Sequence, residues 1–137
     1  MTALVITAAS IVPQANAGIG SGYAGETITA VQPVAKDSTT GKYLKADVDS
    51  ANADLRTIAG IALNGASDGQ PLDFQYSGDL AMGAILTRGT VYVAGATAGA
   101  INPAADLTTG WYPAVLGVAF SSSVLRMGGI VHGGAAV

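Results

Sequence analysis

Residue types that do acid–base, nucleophilic or metal chemistry are few in this sequence, and they are scattered. His132 is the only histidine and cysteine is absent, which removes multi-histidine and thiolate metal sites, disulfides and cysteine nucleophiles together. A serine nucleophile would have to recruit His132, and no Gly-x-Ser-x-Gly elbow flanked by a strand and a helix is present to expose one. Set among glycines near the end of the chain, His132 reads as a solvated or interface residue. The densest acidic group is Asp37, Asp47, Asp49 and Asp54, interleaved with Lys36, Lys42 and Lys45. A calcium loop needs oxygen donors at alternating positions and a closing glutamate. Asp47-Val48-Asp49-Ser50 has only the beginning of that pattern, so the group reads as a solvated charged rim. Gly18-Ile19-Gly20-Ser21-Gly22 imitates a phosphate-cradling loop, but such a loop needs a helix N-terminus behind it, and Tyr23 to Thr29 leads into a strand. Trp111-Tyr112 is the one adjacent aromatic pair. It is either a loop-borne stacking platform for a sugar or a plug over one end of a barrel. The chemistry-bearing residues therefore predict no catalytic site, no metal and no cofactor.

What must position these residues is a β framework. Glycines and prolines recur throughout, and apolar positions alternate or run in short blocks instead of returning every three to four residues. Strands are expected at 3–12, 26–35, 43–46, 57–63, 71–76, 90–94, 115–120 and 125–131. The one short helix expected spans 49–55, capped by Asp49 or Ser50. Turns are expected at 37–42 and at Asp68-Gly69. Many short strands about ten residues apart predict an all-β barrel or sandwich.

The framework is doubled. Gly25-Glu26-Thr27-Ile28-Thr29, Val34-Ala35 and Gly41 are echoed 58 residues on by Gly83-Ala84-Ile85-Leu86-Thr87, Tyr92-Val93 and Gly99. Ile58-Ala59-Gly60-Ile61-Ala62-Leu63 is echoed 57 residues on by Val115-Leu116-Gly117-Val118-Ala119-Phe120. Two copies are too few for a solenoid, so two tandem β repeats, 25–78 and 83–133, are expected to close on each other within one domain, 25–137. The in-strand glycines Gly60 and Gly117 mark a bulge or a close backbone approach. Alternation along the equivalent strands directs Ile61, Leu63, Val118 and Phe120 to one shared core.

Residues 1–24 precede the repeats as an extended arm, 16–22 being a glycine-rich join. Leu4, Ile6, Ile11 and Val12 on this arm are the candidate contacts with a neighbouring subunit or a larger shell. An edge strand of the chain's own sheet is the alternative. The apolar run followed by Ala15-Asn16-Ala17 imitates a signal peptide, but no Lys or Arg precedes it, and no cleavage is expected. No apolar stretch approaches the roughly 20 residues of a membrane-spanning helix.

The whole-chain composition points toward assembly. At 137 residues the chain is one domain that should bury roughly two-thirds of its unfolded surface. Charged residues are 11% of it, against about 25% in an average soluble domain. Spread over an expected surface of about 6,500 Å², they leave about one charge per 430 Å². Charge is depleted where surfaces are buried against partners. The net charge is −3 with no basic run, which argues against nucleic acid, since phosphate neutralisation needs several cations on one face.

The run Ala24-Gly25-Glu26-Thr27-Ile28, Val34-Ala35-Lys36-Asp37, Gly41-Lys42-Tyr43-Leu44-Lys45-Ala46-Asp47, Ile58 to Leu63 and Gly69-Gln70-Pro71-Leu72 resembles the small capsid decoration, or cement, proteins of tailed bacteriophages. Gly89-Thr90-Val91-Tyr92, Gly99-Ala100-Ile101 and Leu116-Gly117-Val118-Ala119 continue the likeness, which covers about residues 24–130. One departure is Val31-Gln32-Pro33, where a glycine-containing turn is usual. The resemblance implies a non-enzymatic virion protein, made in the bacterial cytoplasm, that binds the outer surface of an icosahedral capsid. Its partners would be the major capsid protein and further copies of itself, as a dimer or trimer. A carbohydrate- or receptor-binding β module of a viral fibre is the other expectation.

Overall fold

Among the described residues of the computed structural model, 3–4 and 11–133, regular structure is almost entirely strand. In chain order the strands are β1 (Val12–Pro13), β2 (Gly18–Tyr23), β3 (Pro33–Lys36), β4 (Tyr43–Lys45), β5 (Ile58–Ala62), β6 (Pro71–Ala81), β7 (Val91–Ala94), β8 (Ile101–Pro103), β9 (Ala114–Ala119), β10 (Val124–Met127) and β11 (Val131–His132). They form one antiparallel sheet in the order β4-β3-β5-β6-β10-β9-β7-β8, curled into a half-barrel. The eleven-residue β6 is its spine. Its first half pairs with β5 and β2, and its second half with β10 and β1.

The order reads outward from β6 and β10 as the same unit twice, and the registers agree residue by residue. Pro33, Val34 and Ala35 of β3 face Ile61, Gly60 and Ile58, with a bulge after Val34. Val91, Tyr92 and Val93 of β7 face Val118, Gly117 and Val115, with the bulge after Tyr92. Hairpins β3–β4 and β7–β8 match likewise, Val34 opposite Lys45 and Tyr92 opposite Pro103. The in-strand glycines have one cause in both copies. A Cβ on Gly60 would strike the carbonyl oxygen of Gln75, and one on Gly117 that of Arg126, so only glycine lets the adjacent strand approach.

The repeats stack front to back. Strand alternation puts Ile61 and Ala62 on opposite faces of β5. Ile61, with Ala35 and Ile58, joins the main core, whereas Ala62, Val34 and Phe74 build a smaller core with Leu72 and Ile28. In repeat two the residues matching that smaller core, Ala119, Tyr92 and Leu125, are the ones in the main core. The back of repeat one is thus covered by the front of repeat two, whereas the back of repeat two, though Val93 is buried, is exposed at Val118 and Phe120. Val118 and Phe120, expected beside Ile61 and Leu63 in a shared core, are 41% and 53% exposed.

Other expectations shift for local reasons. The stretch 16–22, expected as a join, contains β2, which pairs with the first half of β6 as the second half of β6 pairs with β10. Its glycines are dictated by packing: Cβ atoms on Gly20 and Gly22 would collide with the rings of Phe74 and Tyr43, which are themselves in tilted contact, 43° apart in plane with centroids at 4.8 Å. The strand expected at 26–35 is reduced to Pro33–Lys36 because Val31 turns the chain at φ +83°. That expected at 71–76 runs on to Ala81 through a kink at Gly78, φ +86°. Buried Gln75 clasps the kink, its Nε2 donating to the carbonyls of Ser77 and Asp79 at 3.0 Å each. The expected helix at 49–55 is a 3-10 turn, Ala53–Arg56. Asn52, and neither Asp49 nor Ser50, caps it by accepting the Asp54 N–H at 3.0 Å. A second such turn, Ala104–Asp106, follows β8, a strand absent from the expectations.

Candidate interaction surfaces

The arm residues divide between the chain's own core and solvent. Leu4 is half-buried against the main core, and its N–H donates to the Ile101 carbonyl at 2.9 Å on β8. It lines a cavity of about 170 Å³ with Val31, Gln32 and Gly99. Ile11 is half-buried against the same core, while Val12 points outward at 52% exposure, paired with Ala81. Ile6 lies outside the described residues.

The open back of repeat two forms a groove of about 400 Å³. Val118 and Phe120 supply its apolar wall and Arg88 and Arg126 its cations, and Gly89 and Gly128 also line it. Arg126 lies with its guanidinium 4.0 Å from the centre of the Phe120 ring. It also grips Asp79 with both ends of the fork, Nε to Oδ1 at 2.9 Å and a terminal nitrogen to Oδ2 at 3.1 Å. Those bonds hold the Asp79 carboxyl below the usual carboxylate range. Arg88 has neither an ion pair nor a hydrogen bond among the described residues. The sequence signals the groove only as alternating apolar residues, which do not say which face is covered.

A second outward face lies on β2 and the start of β6. Ile19, Ser21 and Tyr23 alternate outward along β2 and share that face with Asp73, whose Oδ1 accepts the Ser21 hydroxyl at 2.8 Å. Ile19 and Tyr23 are exposed aliphatic and aromatic surface.

The remaining chemical candidates are occupied structurally. His132 is no free tail residue: it belongs to β11, and its Nε2 accepts the Ile58 N–H at 2.9 Å, tying the end of repeat two to the start of β5. Burial pushes its pKa down. Trp111 packs half-buried on the main core, and the Arg56 guanidinium covers Tyr112 at 3.8 Å from the ring centre. Asp54 accepts the N–H and hydroxyl of Ser38, Asp37 those of Thr39 and Thr40 respectively, and Asp47 the N–H of Asp49. Burial first, and then Asp49, raises the Asp47 carboxyl to about 6. Among the described residues no three His, Asp or Glu side chains are placed to hold a metal ion, and no helix is long and apolar enough to cross a membrane.

No family model matches the chain, and no curated protein matches it.

Proposed function

We propose that this chain is a structural virion protein that coats the outside of an icosahedral phage capsid and stabilises it by bridging major capsid subunits. The observation that carries the reading is the surface. Eight large apolar side chains are exposed among the described residues, several of them on strand faces, on a molecule with only fifteen charges. Apolar surface rimmed by polar residues marks sites of protein association. The sequence resemblance to decoration proteins supplies the kind of partner. A chain that binds the assembled shell and not its separated subunits raises the cost of opening it, and an oligomer touching several capsid subunits gains avidity by effective concentration. The reading needs no catalysis, cofactor or nucleic acid. The alternative, a glycan-binding fibre module, draws less support, because Trp111 packs inward and Tyr112 is covered by Arg56. The test is addition of the purified protein to undecorated shells of a phage that encodes it. Saturable co-sedimentation and a raised shell-disruption temperature are expected; free protein alone in the supernatant at all ratios overturns the reading.

A further inference from the structure

The two outward faces differ in charge and agree in character. Residues 83–133 carry two arginines against one carboxylate, whereas 25–78 carry four cations against seven carboxylates. The groove on repeat two has an apolar wall, Val118 and Phe120, and an arginine, Arg88, without a partner among the described residues. The β2–β6 face presents apolar Ile19 and Tyr23 around a carboxylate, Asp73, whose one side-chain partner is the neutral hydroxyl of Ser21. The repeat adds an independent reason for the groove to be covered. Ile61, the counterpart of Val118, is fully buried because repeat two packs over it. Val118 itself is 41% exposed.

We propose that the groove on repeat two receives the β2–β6 face of a second copy of this chain, with Asp73 supplying the carboxylate that Arg88 lacks. The two patches are different, so the contact is head-to-tail, and copies joined this way close into a ring when the rotation between them allows. The inference deepens the self-association side of the proposed function and rests on it. An apolar contact with one charge pair at its rim fits the composition, because the apolar wall holds the copies together while the pair selects the register.

The test is oligomeric state by light scattering and sedimentation across the micromolar range, on the full chain. Wild type is expected to associate. Arg88→Glu and Asp73→Arg, each a like-charge clash at the contact, should each weaken association by about tenfold or more. The double variant, which restores opposite charges, should recover it, and Lys36→Glu, on β3 and lining neither face, should leave it unchanged. Phe120→Ser should weaken it as well. All these positions are at the surface, and melting curves check that each variant is folded. Arg88→Gln and Asp73→Asn replace any reversal that is not. A wild type that stays monomeric overturns the inference, as does association indifferent to both single reversals or a folded double variant without recovery. Rings of this geometry that do not add to shells would leave it standing and remove the capsid reading. Shells decorated by a protein whose association ignores Arg88 and Asp73 would do the converse.

Discussion

Val31 occupies in repeat one the position that Gly89 occupies in repeat two, and both backbones sit at φ +83°. Their surroundings match: the Val31 N–H donates to the Ala62 carbonyl at 2.7 Å, and the Gly89 N–H to the Ala119 carbonyl at 2.8 Å. A β-branched residue there is a backbone outlier, tolerated because its side chain is buried in the main core. Burial and strain therefore oppose each other at one residue. Val31→Ala keeps the strained φ and loses burial, whereas Val31→Gly loses more burial and relieves the strain. Glycine is expected to be the more stable replacement by about 1 kcal/mol, the reverse of the ordinary order. Urea denaturation of the pair checks this, and alanine proving the better replacement would show the turn to be unstrained.

Gly60 and Gly117 make a paired prediction. Each backbone faces a carbonyl oxygen of the adjacent strand at a distance that excludes a Cβ. Gly60→Ala and Gly117→Ala should each cost about 2–4 kcal/mol by forcing that strand away. Gly65→Ala, where the nearest atom is an ordinary 3.7 Å away, should cost less than about 1 kcal/mol. Thermal melts of the three variants decide it. A tolerated change at one of the two in-strand glycines would mean that the close approach is not shared.

The repeat was legible in the sequence because a backbone constraint leaves glycine at the same place each time, as at Gly60 and Gly117 or at Gly41 and Gly99, the latter two in left-handed turns. The packing of one repeat against the other was not. Alternation along a strand separates two faces without naming the covered one, so Ile61 and Val118 read alike although one is buried and the other exposed. Strand β2 hid for a different reason. Its glycines respond to Phe74 and Tyr43, aromatic rings some fifty and twenty residues away in the chain, and a glycine chosen by tertiary packing looks the same in sequence as one in a flexible link. The groove arginines carried no local signal, because Arg126 is defined by its partners on β6 and β9.

His132 and Asp47 give stability two opposed dependences on pH. The folded pKa of His132 is lowered by burial, so its contribution is complete above the unfolded value, about 6.5, and is lost as pH falls through the folded one. Asp47 is raised from 3.8 to about 6, so between these values the folded state binds the proton and gains stability as pH falls. Asp47→Asn should therefore be more stable than wild type at pH 8 and lose stability more steeply in acid. His132→Gln should remove the acid-side loss that sets in below about pH 6.5. Urea midpoints from pH 8 to pH 5 test both signs. Parallel curves for wild type and either variant would remove that residue from the account.

The arm makes the last prediction, through the contacts of Leu4. Leu4 is half-buried and makes a backbone bond to Ile101, while both cores are built chiefly from residues 24 onward. Removing residues 1–10 should leave the half-barrel folded. A half-covered leucine and one backbone hydrogen bond are expected to account for about 1–3 kcal/mol of stability. The outward residues Val12, Val118 and Phe120 remain, so the loss of attachment separates two roles for the arm. If the arm itself meets the capsid subunits, the truncated chain should fold, with near-native circular dichroism, yet fail to co-sediment with undecorated shells. If Leu4 serves only its own core, attachment should survive and Leu4→Ala should reproduce most of the stability change. A truncated chain that does not fold at all would show that the contacts at Ile101 hold the two repeats together.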